Sequence, residues 1–78
     1  MDGLQRLLNF LALLRARKIM FNIEQQSNDA LMVSFALVGV RVEVEFFVDH
    51  LEFSYFTGDE EVYRDEAQLK RLIEQYSA

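Results

Sequence analysis

His50 is the only histidine in the chain, and it follows Asp49 directly. An adjacent carboxylate can orient an imidazole as a general base, but such a base needs something to activate. No serine stands at a recognisable spacing from the pair, and the chain has no cysteine, so nucleophilic catalysis lacks its nucleophile. His50 therefore reads as an exposed turn residue. A single histidine among strand carboxylates is not the ligand set of a dedicated metal site. The run Asp59-Glu60-Glu61 lacks the alternating ligands and the spaced bidentate glutamate of an EF-hand, and reads as a solvated loop. Glu43 and Glu45 share a strand face, yet paired carboxylates that cleave glycosidic bonds need a cleft between them, which a small flat sheet does not offer. The chain is expected not to be an enzyme and to carry no catalytic, metal-binding or cofactor-binding residues.

The elements that position these groups follow from periodicity. Residues 30–57, ALMVSFALVGVRVEVEFFVDHLEFSYFT, read as three consecutive antiparallel strands. A turn at Val38-Gly39 sets Leu37 opposite Val40, Phe35 opposite Val42, Val33 opposite Val44 and Leu31 opposite Phe46. A second two-residue turn at Asp49-His50 sets Val48 opposite Leu51, Phe46 opposite Phe53 and Val44 opposite Tyr55. Side chains alternate along a strand, so all of these share one apolar face. A slip of one residue would drive Glu43 and Glu45 among the aromatics, which the cost of burying charge forbids. Asp49-His50 departs from the Asp-Gly ideal, so a bulge or an extra residue is expected there. Ile19 to Gln26 alternates as a further strand, with Ile23 opposite Leu31 and Phe21 opposite Val33, followed by a loop over Gln25 to Asp29.

Helices flank these strands. Asp2 and Gln5 have capping-box spacing, and Leu4, Leu7, Leu8, Leu11 and Leu14 form the stripe expected to lie on the sheet. Phe10 falls on its flank, and Leu13, on the side of Arg6 and Asn9, is expected to be exposed. Arg15, Arg17 and Lys18 close this helix where its dipole favours cations. A second helix starts near Asp65, with Gln68 at cap spacing, buries Leu69, Leu72, Ile73 and Tyr76, and carries a Glu66–Lys70 pair outside. The fold class is α+β: a four-stranded antiparallel meander with an N-terminal and a C-terminal helix packed on one face, α-β-β-β-β-α, over a single domain, 1–78.

Composition bounds the partners. Half the residues are hydrophobic (51%), enough for a small core, and the absence of cysteine points to a reducing compartment. Leu4 to Leu14 is too short and too polar to span a bilayer and lacks a cleavage site, so a soluble cytoplasmic protein is expected, without membrane contact. Of the net charge of −5, residues 43–66 carry nine acids (Glu43, Glu45, Asp49, Glu52, Asp59, Glu60, Glu61, Asp65, Glu66) against one base, Arg64. That field repels phosphate and argues against nucleic acid.

With helices on the apolar face, the opposite face turns outward. Its candidate interaction residues are Met20, Met32, Arg41, Glu43, Glu45, Phe47, Glu52 and Phe56. Two phenylalanines and two methionines there invite contact with another macromolecule, although carboxylates interrupt them.

The run Gly39-Val40-Arg41-Val42-Glu43-Val44-Glu45-Phe46, then Asp49, Gly58-Asp59-Glu60-Glu61 and Asp65-Glu66-Ala67, resembles a set of small uncharacterised bacterial proteins. These have a helix, a G-x-R-W-E-V-x-F strand, an Asp-Gly turn and a closing acidic helix. The chain departs from that pattern at Val42, where an aromatic is usual, and at His50, where glycine is usual. The resemblance implies an immunity or antitoxin-like partner protein and supplies no site residues. Three readings follow. The first is a non-enzymatic module or adaptor whose acidic face docks another protein, a basic one such as a nuclease toxin. The second is a homodimer formed through that face or through an edge strand. The third is a small-ligand binder with a pocket between helix and sheet, whose sign would be a buried polar group; Tyr55 and Tyr76 are the core-edge candidates.

Overall fold

The computed structural model describes residues 3–56 and 63–76. Its elements run α1 (Gly3–Ala16), β1 (Phe21–Ser27), β2 (Ala30–Leu37), β3 (Val40–Phe47), β4 (Leu51–Phe56) and α2 (Glu66–Tyr76). The strands form one antiparallel sheet in sequence order, as the alternation predicts.

The β2–β3 hairpin has the expected register: Leu37 faces Val40, Phe35 faces Val42, Val33 faces Val44 and Leu31 faces Phe46. Gly39 takes φ 77° at its turn, a backbone angle that glycine adopts without a Cβ clash. The other two registers differ from expectation by two residues. In β3–β4, Phe46 faces Leu51, Val44 faces Phe53 and Val42 faces Tyr55. Among the described residues only Lys18 and Gly39 have positive φ, so Asp49-His50 does not adopt the primed two-residue turn. The connection widens instead, closed by the Phe47 N–H donating to the His50 carbonyl at 2.9 Å, and Val48 swings out to 77% exposure rather than facing Leu51. In β1–β2, Ile23 faces Val33 and Phe21 faces Phe35. Here the strand extends through the expected loop: Ser27 pairs with Ala30 across Asn28-Asp29, with an irregularity between Glu24 and Ser27. Because both shifts are even, the side chains from Phe21 to Glu24 and along β3 and β4 keep their faces, and only past the irregularity does Ser27 come to pair with Ala30.

α1 ends before the strand expected to begin at Ile19. Lys18 stands at φ 59°, its N–H donates to the Arg15 carbonyl (3.0 Å), and the Ile19 N–H reaches back to Leu14 (2.9 Å). This is a Schellman closure, with a lysine where glycine is usual. It draws Ile19 against the core instead of into β1.

α1 is also rotated from the expected stripe. Leu7, Phe10, Leu11 and Leu14 are buried, Leu13 is half-buried, and Leu4 and Leu8 are 65% and 50% exposed. The buried set has the i, i+3, i+4, i+7 spacing of a helix face, turned toward α2. Phe10 wedges between the rings of Phe35 and Phe46, at centroid distances of 5.8 and 5.3 Å. Beneath lie Val33, Val42 and Val44, with no exposed surface. The start of α1 is pressed on the β3–β4 connection so closely that a Cβ on Gly3 would meet the Phe47 carbonyl at 2.7 Å.

α2 begins as its sequence indicates. The Asp65 carboxylate accepts the Ala67 N–H at 3.0 Å, an N-cap bond, and Leu69, Leu72 and Ile73 are buried. The Asp2 cap and the Tyr76 side chain lie outside the described residues. Among the described residues, no helix is long and apolar enough to cross a membrane.

Candidate functional site

With both helices on the inner face, the outer face is built from cross-strand rows. One row runs Glu24, Met32, Glu45, Glu52 across all four strands; the next runs Asn22, Ser34, Glu43, Ser54. A third sets Ala36 beside Arg41 and Arg41 beside Phe56. Period-two alternation thus delivers Glu43, Glu45 and Glu52 to neighbouring positions. Met32 is central in its row, and its flanking residues cover it to 8% exposure although no helix lies over it. Ser34 is likewise buried at 8%. Glu43, Glu45, Glu52 and Ser54 rim a shallow hollow of about 70 Å³ over Met32.

The charges of this face are unequally matched. Arg41 approaches Glu43 at 3.8 Å, and Glu52 receives both Arg64 (3.3 Å) and His50 Nε2 (3.2 Å). Glu45 forms no ion pair among the described residues and stands directly opposite Glu52. Like charges facing each other across an antiparallel pair repel.

The candidate apolar residues separate. Met20 precedes β1 and is 89% exposed. Met32 is floor rather than surface, and Phe47 is half-buried with its ring stacked flat on His50, 4.4 Å between centroids and 3° between planes. The Phe56 side chain lies outside the described residues.

His50 is held at both ring nitrogens, by Asp49 at Nδ1 (2.7 Å) and by Glu52 at Nε2. The Asp49 hydrogen bond raises its pKa above the ordinary 6.5, reinforced by Glu52, while partial burial opposes. The same bond, with a backbone hydrogen bond and then the His50 charge, holds Asp49 below its ordinary 3.8. When protonated, the ring donates at both nitrogens and ties Asp49 in the β3–β4 connection to Glu52 on β4. Periodicity offered one sign of this arrangement, since His50 and Glu52 are two apart and so share a face; the Phe47 stack and the Arg64 contact had none. Among the described residues, no group of three or more His, Cys, Asp or Glu is arranged to hold a metal ion.

A search against family models, curated proteins and solved structures finds no match for this chain.

Proposed function

We propose that this protein is a non-enzymatic interaction module of the cytoplasm that docks a cationic protein on the outer face of its sheet, in the manner of an immunity, antitoxin-like or adaptor protein. The observation that carries this reading is the facing pair Glu45–Glu52 with Glu43 on the rim of the same hollow. Arg64 and His50 already take Glu52, so Glu45, which forms no ion pair among the described residues, is the carboxylate left to receive a lysine or arginine from a partner. Met20 adds exposed apolar surface at the start of β1. The resemblance to small uncharacterised bacterial proteins, some of which are thought to serve as immunity or antitoxin-like partners, points the same way.

The test is recovery of a partner from the native host by wild type, by Glu43→Lys/Glu45→Lys and by a Gln26→Lys control. A specific partner held by wild type and control, lost by the double reversal and weakened by salt supports the proposal. Equal recovery by all three proteins sinks it.

One observation favours a second reading, a homodimer through the β1 edge. No described strand or bridge pairs with the outer side of β1, whereas Tyr63 bridges to Phe53 along β4. An unpaired edge is a template for another strand. Sedimentation showing a monomer mass at every concentration would remove this reading, and Ile23→Lys is expected to dissociate a dimer if one forms.

A further inference from the structure

The two flanks of α1 differ. Toward α2 it is bridged across a cleft by two long ion pairs, Arg6 Nε to Glu66 at 3.5 Å and Arg17 to Glu74 at 3.8 Å. The other flank overhangs β1. Leu4 lines a groove with Gln25 and Asp29, and the Arg15 guanidinium lies 5.6 Å from the centre of the Phe21 ring, so α1 runs antiparallel to β1. Leu4 and Arg15 are about 16 Å apart along the helix, and Gln25 and Phe21 about 13 Å apart along the strand, which sets Leu8 level with Ile23. On this flank Leu4, Leu8 and Ala12 recur at a spacing of four and are exposed, Leu4 by 65% and Leu8 by 50%, while Ile23 shows 46% of its surface. Met20, just ahead of β1, is 89% exposed. Of the six exposed large hydrophobic residues among the described residues, these four border β1, a concentration that singly scattered apolar residues do not show.

We propose that a second copy of the chain covers this flank: β1 pairs antiparallel with β1 of the second copy about a twofold axis at Ile23, and Leu4 and Leu8 of both copies roof the Ile23 pair. This deepens the β1-edge reading above and rests on it. Charge sets the direction. Arg15 and Lys18 stand at the start of β1, and Glu24 and Asp29 toward and beyond its end. Antiparallel pairing brings the basic end of each copy to the acidic end of the other, whereas parallel pairing would set like charges together. Facing pairs set the register. With Ile23 on the axis, Asn22 faces Glu24 of the second copy, an amide before a carboxylate, and Phe21 faces Gln25. A shift of two residues one way would set the two Glu24 carboxylates face to face; the other way would set Met20 against Glu24. A seven-residue strand edge beneath a helix presents a face of about 23 by 20 Å, on the order of 1,000 Å² for the two copies, the lower limit of specific interfaces. The dimer is therefore an exchanging one, with a Kd of about 1–100 μM. Because the axis is perpendicular to the joined sheet, both carboxylate hollows open on the same side.

Two measurements on the full chain test this. Sedimentation equilibrium is expected to show a monomer–dimer equilibrium for the wild type, weakened at least about tenfold by Leu8→Glu, which puts two carboxylates into the roof. The chain has no cysteine, so a single introduced thiol can form a disulfide only between copies. Ile23→Cys, on the axis, is expected to give a linked dimer with oxidised glutathione, while Val38→Cys, equally open to solvent at the β2–β3 turn but remote from the axis, is expected to stay monomeric on denaturing gels. The linking test also stands if Leu8→Glu does not fold. A monomer mass at every concentration up to about 500 μM overturns both this proposal and the β1-edge reading. A dimer that keeps its affinity in Leu8→Glu, or that links no better through Ile23→Cys than through Val38→Cys, overturns this proposal and leaves the β1-edge reading standing.

Discussion

The two borders of the sheet have opposite fates. Along β4 the chain returns at Tyr63, exchanging backbone hydrogen bonds with Phe53 at 2.7 Å in both directions and stacking its ring at 5.4 Å from Phe53 and 5.2 Å from Tyr55. Phe53 is left 1% exposed. Along β1 every residue but Phe21 is exposed, and Ile23, on the same inner face, shows 46% of its surface. Coverage follows the supply of apolar side chains. β3 offers Val40, Val42, Val44 and Phe46 to the helices; β1 offers Phe21 and Ile23 before Gln25 breaks the pattern. The helices settle where burial gains most, and α1 leaves Leu4 and Leu8 uncovered as a result. One sheet thus combines a border closed by Tyr63 with a border along β1 that no described strand or bridge pairs.

Mutations on the two borders test that contrast most directly. Phe53→Ala is expected to cost about 3–5 kcal/mol, the range for a fully buried aromatic, whereas Ile23→Ala is expected to cost less than about 1 kcal/mol because half its surface is already in water. Urea unfolding of both variants measures the difference, and comparable losses would break the comparison. Gly3→Ala tests how tightly α1 is pressed on the β3–β4 connection. With the new methyl 2.7 Å from a backbone oxygen, a loss of about 1–3 kcal/mol is expected, read from the same unfolding curves. Where α1 hands over to β1, the expected sign reverses. Lys18→Gly relieves a left-handed lysine and should stabilise by about 1 kcal/mol, seen as a raised midpoint with an unchanged denaturant slope.

The subtlest effect is in pH. His50 has a raised folded pKa, so its contribution is fully present below its ordinary 6.5 and is lost as pH rises through the folded value. Asp49 has a lowered one, so its contribution is present above its ordinary 3.8 and is lost as pH falls through the folded value. The melting-temperature gap between wild type and His50→Gln should therefore narrow from about pH 5 to about pH 9. A constant gap would show that His50 braces the connection by stacking on Phe47 alone.

Much of the fold was legible because its signals are local. Alternation from Ala30 to Phe56 named the strands and the buried face, and Asp65 marked the start of α2. Several details of the candidate site were not. Met32 looked like surface in the strand pattern, yet its neighbours in space cover it. The polar group expected at the edge of the core was a tyrosine; the orphan found is Arg6 Nη1 on α1, and Tyr55 is instead stacked on Tyr63. No spacing along the chain announces an ion pair that two helices stretch across a cleft.

Sequence by itself determined which side chains share a face, because the period of two along a strand and the recurrence near 3.6 along a helix are properties of the backbone. Tertiary structure alone decided three things: the two-residue shifts of register, the rotation of α1 toward α2, and which border of the sheet is covered by Tyr63. An even shift leaves every residue on its own face, so periodicity cannot distinguish the alternatives. The choice among them rests on contacts between residues far apart in the chain: Phe10 between Phe35 and Phe46, Gly3 against Phe47, and Tyr63 beside Phe53.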